Sequence, residues 1–478
     1  MTSTHKPTAV SHLLASHVPG QERLRVLSAS GQLGFGIVQD SLARGLQRKP
    51  HFIGCDMGSI DPGPFYLGSG QMAAPKDMVL RDLELVLLAA RQLNVPLIIG
   101  SAGTAGAKPQ LAATLALLQE VAQKHGLSFS VATVCSDVPR QILIEAVQDG
   151  RLKSLDPDGV ALPLPVPNPS QIELATHIVA QCGTHTFIEA LTHQPDVLIA
   201  GRSCDTAIFA ALPQMLGYDP ALSLHMAKII ECTSLCCTPG GRDAILAELG
   251  QFDFILESMN PNAHATPASV AAHALYEQAD PWVVEEPEGT LHLRHAKYTA
   301  IDAHRTQVSG AQFVPRLAPT LKVEGAVHTG SRAVLLAGVA DPRMIEMMPK
   351  ALQTVLERVQ KLVPGPWSMV PHVYGQGAVR SLPPAHRSLH EIGLVIEFLA
   401  PTANMAKTAA SVFKQNLLHF GFPGRLSTGG NLAFALTPSE IEANECYQFM
   451  LYHQLVGVSP QEVFGIEMHA WNFEEAMA

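Results

Sequence analysis

Apolar and polar positions alternate along this chain in the manner of a strand–helix–strand protein. Short apolar runs read as buried strands at Arg25–Ser30, His51–Cys55, Val95–Ile99, Phe129–Val134 and Asp196–Gly201. Between them, apolar residues recur three or four positions apart. Lys76–Leu93 carries Met78, Val79, Leu83, Val86, Leu87 and Ala90 at the spacing of an amphipathic helix. Gln110–His125, Gln141–Gln148, Leu222–Cys232 and Pro267–Glu277 read as helices too, and Ser170 reads as the cap of a helix Gln171–Gln181. The pattern predicts an α/β main domain, an open mostly parallel sheet over residues 25–330, behind a ragged extension at 1–24. The proline-rich stretch at 162–170 is an excursion within that domain, because the αβ pattern resumes beyond it.

The rhythm then changes. From Trp282 to Val327, short alternating segments predict a β-rich annex. Beyond it come a strand Ser331–Val339, a helix Arg343–Leu362 and a strand Trp367–Val373. A second set follows: strand Ile392–Leu399, helix Asn404–Phe420, and strands Asn431–Leu436 and Gln448–Tyr452. Strand–helix–strand twice over is the order of a ferredoxin-like α+β domain, here a C-terminal domain at 331–478.

Composition narrows the class. Charged residues make up 15% of the 478 and apolar ones 47%. Soluble domains carry roughly 25% charged residues, so a large core and homo-oligomer contacts are expected. The net charge is −10 and no long basic run exists, which argues against nucleic acid as a partner. No stretch of about 18 apolar residues predicts a membrane helix. The first residues lack the apolar core of a signal peptide, and the eight cysteines form no CxxC pair. A reduced, cytoplasmic protein is the expectation.

Three predicted strands run straight into loops of Gly, Ser, Thr and Asp, and in open α/β sheets ligands bind at the carboxyl ends of strands. The first loop holds Asp56, Ser59 and Asp61. Its carboxylates suit general acid–base work or a divalent cation, and equally suit capping their own turn. The second loop, Gly100 to Gly106, offers amides with Ser101, Gly103 and Thr104, suited to an anion or to tight packing. The third holds Arg202, Cys204 and Asp205. Arg202 can clamp a carboxylate, or pair internally with Asp205 or Asp137. Ser136 and Asp137 end another strand. Lys228 can steady an oxyanion or pair with Glu231, three positions on; Arg242 can meet an anionic substrate. No nucleotide fingerprint is present, and Cys232, Cys236 and Cys237 fit no standard metal-ligand spacing. A cofactor therefore stays unassigned.

The chain resembles the acyclic terpene utilisation (AtuA-like) family. The resemblance rests on RVLSASGQLGFG, the D-x-GS-x-D-x-GP pattern from Asp56 to Pro64, and GSAG at Gly100 to Gly103. It continues through GRSCDTAIFAA from Gly201, KIIEC from Lys228, GGRD from Gly240 and VAAHALYEQADP, to the late HEIGLVIEF and GNLAFALTPSEI. It implies an α/β main domain with a ferredoxin-like annex, and work in the catabolism of branched carboxylic acids or acyl-CoA. The resulting expectation is a hydratase or related lyase for a small anionic substrate, with Asp56, Asp61 and Asp205 as candidate bases. The alternative is a non-catalytic binding or assembly subunit that acts with a small partner subunit.

Overall fold

The computed structural model describes residues 7–155, 164–276, 278–379, 389–425 and 429–473. The chain forms two compact units. One runs to Ala326 and resumes at Phe449; the other is Val327–Gln448.

The first unit is built on a ten-stranded sheet. At its centre, five strands lie parallel in the order Leu24–Ser30, Phe52–Asp56, Leu97–Gly100, Val197–Ala200, Ser128–Cys135. Their runs are apolar at successive positions because both faces are covered, as parallel sheets require. Ile53, Ile99 and Ile199 pack on one face with the helices Lys76–Leu93 and Lys108–Lys124. Phe52, Ile98 and Leu198 pack on the other with Asp205–Met215 and Pro220–Ile230.

Only this centre is parallel. Ile245–Leu249, Phe254–Ser258, Arg305–Ser309 and Lys297–Ala300 extend one side antiparallel, and Gly465–Asn472 pairs antiparallel with the strand Ser128–Cys135 at the other. The sheet is therefore mixed. The last strand also returns the chain to the first unit, although the sequence pattern grouped it with the C-terminal domain. Val283–Glu286, Gly289–His292 and Gln312–Pro315 form the β-rich annex as a separate three-stranded sheet.

Three local readings differ from the structure. Ahead of the first strand, Ala9–Ser16 is a helix rather than a ragged extension. Val10 and Leu13 are buried, and the amide of Ala9 donates to the Asp196 carboxylate at 2.9 Å. The helix expected at Gln171–Gln181 stops early: Pro169–Leu174 is helical and Ala175–Ala180 is a strand. Asn168, not Ser170, accepts the Gln171 amide and caps it. The β-branched Thr176, Ile178 and Val179 then favour the strand, which pairs with the start of Thr320–Val339. Asn431–Leu436 forms no strand; Ala433 makes a single bridge to Gly338. The first two residues of the proline-rich stretch and Glu277 lie outside the described residues.

The second unit orders Ser368–Tyr374, Ile392–Ala400, the part of Thr320–Val339 from Val327 on, and the part of Glu440–Val456 up to Gln448. The helices Pro342–Leu362 and Ala403–Leu418 supply its core. Met344, Met348, Ala351, Val355 and Val359 fall on one buried stripe, and Phe413 meets Phe398 edge-on at 5.3 Å. The Asp341 side chain caps the first helix by accepting from the amides of Arg343 and Met344. No described helix is long and apolar enough to cross a membrane.

Candidate active site

The three glycine-rich loops leave the same end of adjacent parallel strands. Asp56 lies opposite Gly100 across one strand pair, and Ile99 opposite Ile199 across the next. The loops then bond to one another. The Met57 amide donates to Gly100 O at 3.2 Å and the Ala102 amide to Ala200 O at 3.0 Å. Parallel pairing thus brings together residues far apart in sequence.

Arg202 leaves this junction buried, only 4% exposed. Its Nε donates to Glu324 Oε2 at 2.8 Å and its Nη2 to Glu324 Oε1 at 3.4 Å. Nη1 donates to Ser101 Oγ and to Ser203 O, each at 3.2 Å, and stands 3.8 Å from Asp205 Oδ1. The principal partner is thus Glu324, not Asp205 or Asp137. Glu324 is wholly buried and also accepts from Gln181 Nε2 at 2.9 Å. Burial alone pushes its pKa up, but Arg202 and Lys322 outweigh that and hold it below the usual range. Arg202 responds in kind: burial opposes its charge, yet Glu324 and Asp205 raise its pKa. Lys322 Nζ lies 3.5 Å from Glu324 and 4.4 Å from the centre of the Tyr452 ring.

Beside this pair opens a cavity of about 450 Å³. Ser59, Asp61, Arg202, Asp205 and Lys228 line it among the residues singled out from sequence. Lys322, Tyr452, Gln181, Glu231 and Glu286 also line it, and sequence reading passed over them as site residues. An adjoining cavity of about 350 Å³ shares Gln181, Cys204, Glu286, Lys322 and Tyr452, and adds Leu155 and Pro287.

Two of the cavity's carboxyls, Asp205 and Glu286, hold protons unusually well, as does Asp56, which does not line it. Asp56, 5% exposed, has its pKa raised well above normal by burial and then by Asp205; Arg202 and the Gly58 amide pull it back only in part. Its Oδ2 accepts from that amide at 3.0 Å, while Oδ1 has no hydrogen-bond partner among the described residues. Burial also raises Asp205, against Arg202 and Lys228, which favour its charge. Burial, then Glu288, lifts Glu286 to about 8. Lys228 Nζ donates to Glu231 Oε1 at 2.6 Å, the helix pairing anticipated from their spacing; although burial opposes its charge, Glu231 outweighs it and raises the pKa.

Other singled-out residues sit elsewhere. The loop Gly100 to Gly106 spends these amides inside the protein: Ser101 N donates to Ser203 Oγ, Gly103 N to Met57 Sδ and Thr104 N to Ser101 O. Thr104 Oγ1 donates to Met57 O at 3.3 Å. Gly100 packs against Ile208, so no Cβ fits there. Ser136 Oγ donates to Arg202 O at 2.8 Å, and Asp137 Oδ2 accepts from the Lys108 amide at 2.6 Å. Of these, Ser101 and Ser136 bond to Arg202 itself, and none lines the cavity. Arg242 lines a different cavity of about 210 Å³ with Gln32 and Cys232.

Among the described residues, one group has three metal-ligating atoms close together: His17, Glu22 and His51. It lies by the amino ends of the strands, away from the aspartates, and already holds a cation. Arg25 Nη1 donates to Glu22 Oε2 at 3.1 Å, and the Arg25 amide donates to His51 Nδ1 at 2.8 Å.

The overlooked residues left one readable signal. In Thr320–Val339, Leu321 and Val323 are buried on one face, while Lys322 and Glu324 alternate with them. Two charges on one face of an apolar strand point to a polar partner there. Which partner is a tertiary matter, since Arg202 is 122 residues away in sequence.

Fold and site together define an α/β protein with a strand-end cavity rich in ionisable groups. The model of the acyclic terpene utilisation family protein AtuA matches residues 73–242 and 244–454. The chain belongs to that family, which places it in acyclic terpene catabolism. No curated protein and no solved structure matches it.

Proposed function

We propose that the chain is an acid–base enzyme acting on a small branched carboxylic acid or its CoA ester, as a hydratase or related lyase. One observation carries the reading. A 450 Å³ cavity at the carboxyl ends of parallel strands is lined by carboxyls of raised pKa beside Lys228, Lys322 and Arg202. Raised carboxyl pKa values in a cleft mark groups suited to moving protons near neutral pH. In this reading Asp205 removes a proton next to the substrate carbonyl. Lys322, whose contact with Glu324 is a loose 3.5 Å, faces the negative charge that develops on oxygen. Arg202 positions Asp205 instead of clamping substrate, because Glu324 takes two of its nitrogens. The second unit is a ferredoxin-like domain in the same reading, which its strand order supports.

The test is a panel of branched α,β-unsaturated and β-hydroxy acids, free and as CoA esters. Water addition and removal are followed by the change in enoyl absorbance. The wild type should turn over at least one of them. Asp205→Asn should lose ~10²-fold or more in kcat without a fall in melting temperature. A well-folded wild type inert toward the whole panel overturns the proposal.

A further inference from the structure

The hairpin of Val283–Glu286 and Gly289–His292 delivers a carboxyl that the reading above leaves unused. Glu286 is 5% exposed, yet it lines both the 450 Å³ cavity and its 350 Å³ neighbour. Its Oε2 accepts from Thr206 Oγ1 at 3.0 Å. Thr206 follows Asp205 in the first turn of the helix Asp205–Met215, so one turn holds the base and anchors this second carboxyl.

Among the described residues, the charged groups around Glu286 leave it without a cation of its own. Glu288, on the same hairpin, and Glu231 oppose its ionisation. Lys228 favours it weakly, being already bonded to Glu231. Arg316 is committed to the neighbouring Glu285 at 2.5 Å. With Thr206 donating to Oε2, a proton held by this carboxyl sits on Oε1. Asp205 differs: Arg202 and Lys228 are the first groups to counter its burial. Two carboxyls on one cavity whose surroundings separate them in this way divide into a base and an acid.

We propose that Glu286 is the general acid of this site, giving its proton to the hydroxyl that leaves a β-hydroxy acid or its thioester. The role rests on the hydratase reading. In the dehydration direction, Asp205 takes the proton from the carbon next to the carbonyl. The C–H electron pair becomes the C=C bond, and the C–O bond breaks toward oxygen. The departing oxygen takes the Glu286 proton and leaves as water. Asp205 ends neutral and Glu286 ionised, and exchange with solvent resets both. Hydration is the reverse.

The experiment compares the full-length wild type with Glu286→Gln, Glu286→Asp and Thr206→Val. Dehydration of the panel's β-hydroxy substrate is measured from about pH 5 to about pH 10, across the range where such an acid must change state. The wild-type rate should fall on the basic side near the Glu286 value of about 8. Glu286→Gln should lower kcat ~10²-fold or more with little change in KM and lose that basic limb. Glu286→Asp should restore part of the rate and the limb. Thr206→Val removes a donor that favours the ionised form, so its limb should move to higher pH. The same order should appear when the side-chain carboxyls of ¹³C-glutamate-labelled protein are titrated by NMR, which keeps the role falsifiable if Glu286→Gln misfolds. An active wild type with a basic limb that neither Glu286→Gln nor Thr206→Val alters overturns this role alone. A wild type inert toward every substrate overturns the hydratase reading and this role with it.

Discussion

Replacing Glu324 by alanine should destabilise the first unit by ~3–5 kcal/mol, the usual cost of removing one partner of a buried ion pair. Glu324 is wholly buried, its mate Arg202 is 4% exposed, and two hydrogen bonds of 2.8 and 3.4 Å join them. Without Glu324, Arg202 keeps Ser101 Oγ, Ser203 O and a 3.8 Å approach to Asp205. That partial compensation places the loss near ~3 kcal/mol rather than the top of the range. Urea unfolding followed by far-UV circular dichroism measures it. The dependence on pH has a definite sign. The Glu324 pKa is depressed on folding, so its contribution is present above about 4.5 and fades as pH falls through the folded value. The gap between wild type and variant should close accordingly in acid. The double substitution Arg202→Met with Glu324→Leu should cost less than the two single changes added together, because no unpaired charge remains. A single-variant loss below ~1 kcal/mol, or strict additivity in the double variant, would refute the pair as the anchor of the site.

Two further outcomes follow from the same geometry. A Cβ at Gly106 would collide with the backbone of Arg202, and its φ of +66° disfavours any side chain; Gly106→Ala should cost ~2–4 kcal/mol in the same assay. His225 is fully buried, its Nε2 lies 3.2 Å from Tyr298 Oη, and burial holds its pKa at about 3. Its folded pKa is below the unfolded value of 6.5, so the contribution of this group to stability should fall by up to ~1.4 kcal/mol per pH unit as pH drops below that value toward 3. His225→Leu should flatten that limb, and an unchanged acid slope would count against the neutral buried imidazole.

Much of the site's frame was legible because it rests on local signals. An apolar run ending in Gly, Ser and Asp marks a strand that meets a loop, and Phe52–Asp56, Leu97–Gly100 and Val197–Ala200 all end so. The Lys228–Glu231 pair was legible from helical spacing. What the loops do with their amides was not. Gly31, Gly34 and Gly36 are off the dinucleotide pattern in their spacing, and the loop they form meets an internal partner instead. The amides of Gly34, Gly36 and Ile37 donate to the buried carboxylate of Asp82. The amides of Gly100 to Gly106 likewise find Met57 and Ser203. Whether a glycine-rich loop is bare depends on side chains from distant segments, and no spacing rule reports them. Ala175–Ala180 failed for a related reason: apolar spacing there allows a helix, and pairing with Thr320–Val339 selects the strand.

The cavity's charges sharpen what kind of catalyst this chemistry permits. Carboxyl groups outnumber basic ones along its wall, and the basic groups are largely spoken for: Arg202 by Glu324, Lys228 by Glu231. A substrate carboxylate entering such a space gains little from a free cation and meets carboxylates if all are ionised. The raised pKa of Glu286 relieves part of that conflict, since a protonated carboxyl is a neutral hydrogen-bond donor. An uncharged ester or thioester carbonyl, moreover, brings no negative charge to be desolvated until the transition state, where Lys322 can answer it. If the proposed reaction is right, the panel should therefore show the CoA ester turned over faster than the free acid. A preference for the free acid in the panel would show that at least one of the paired cations is released on binding.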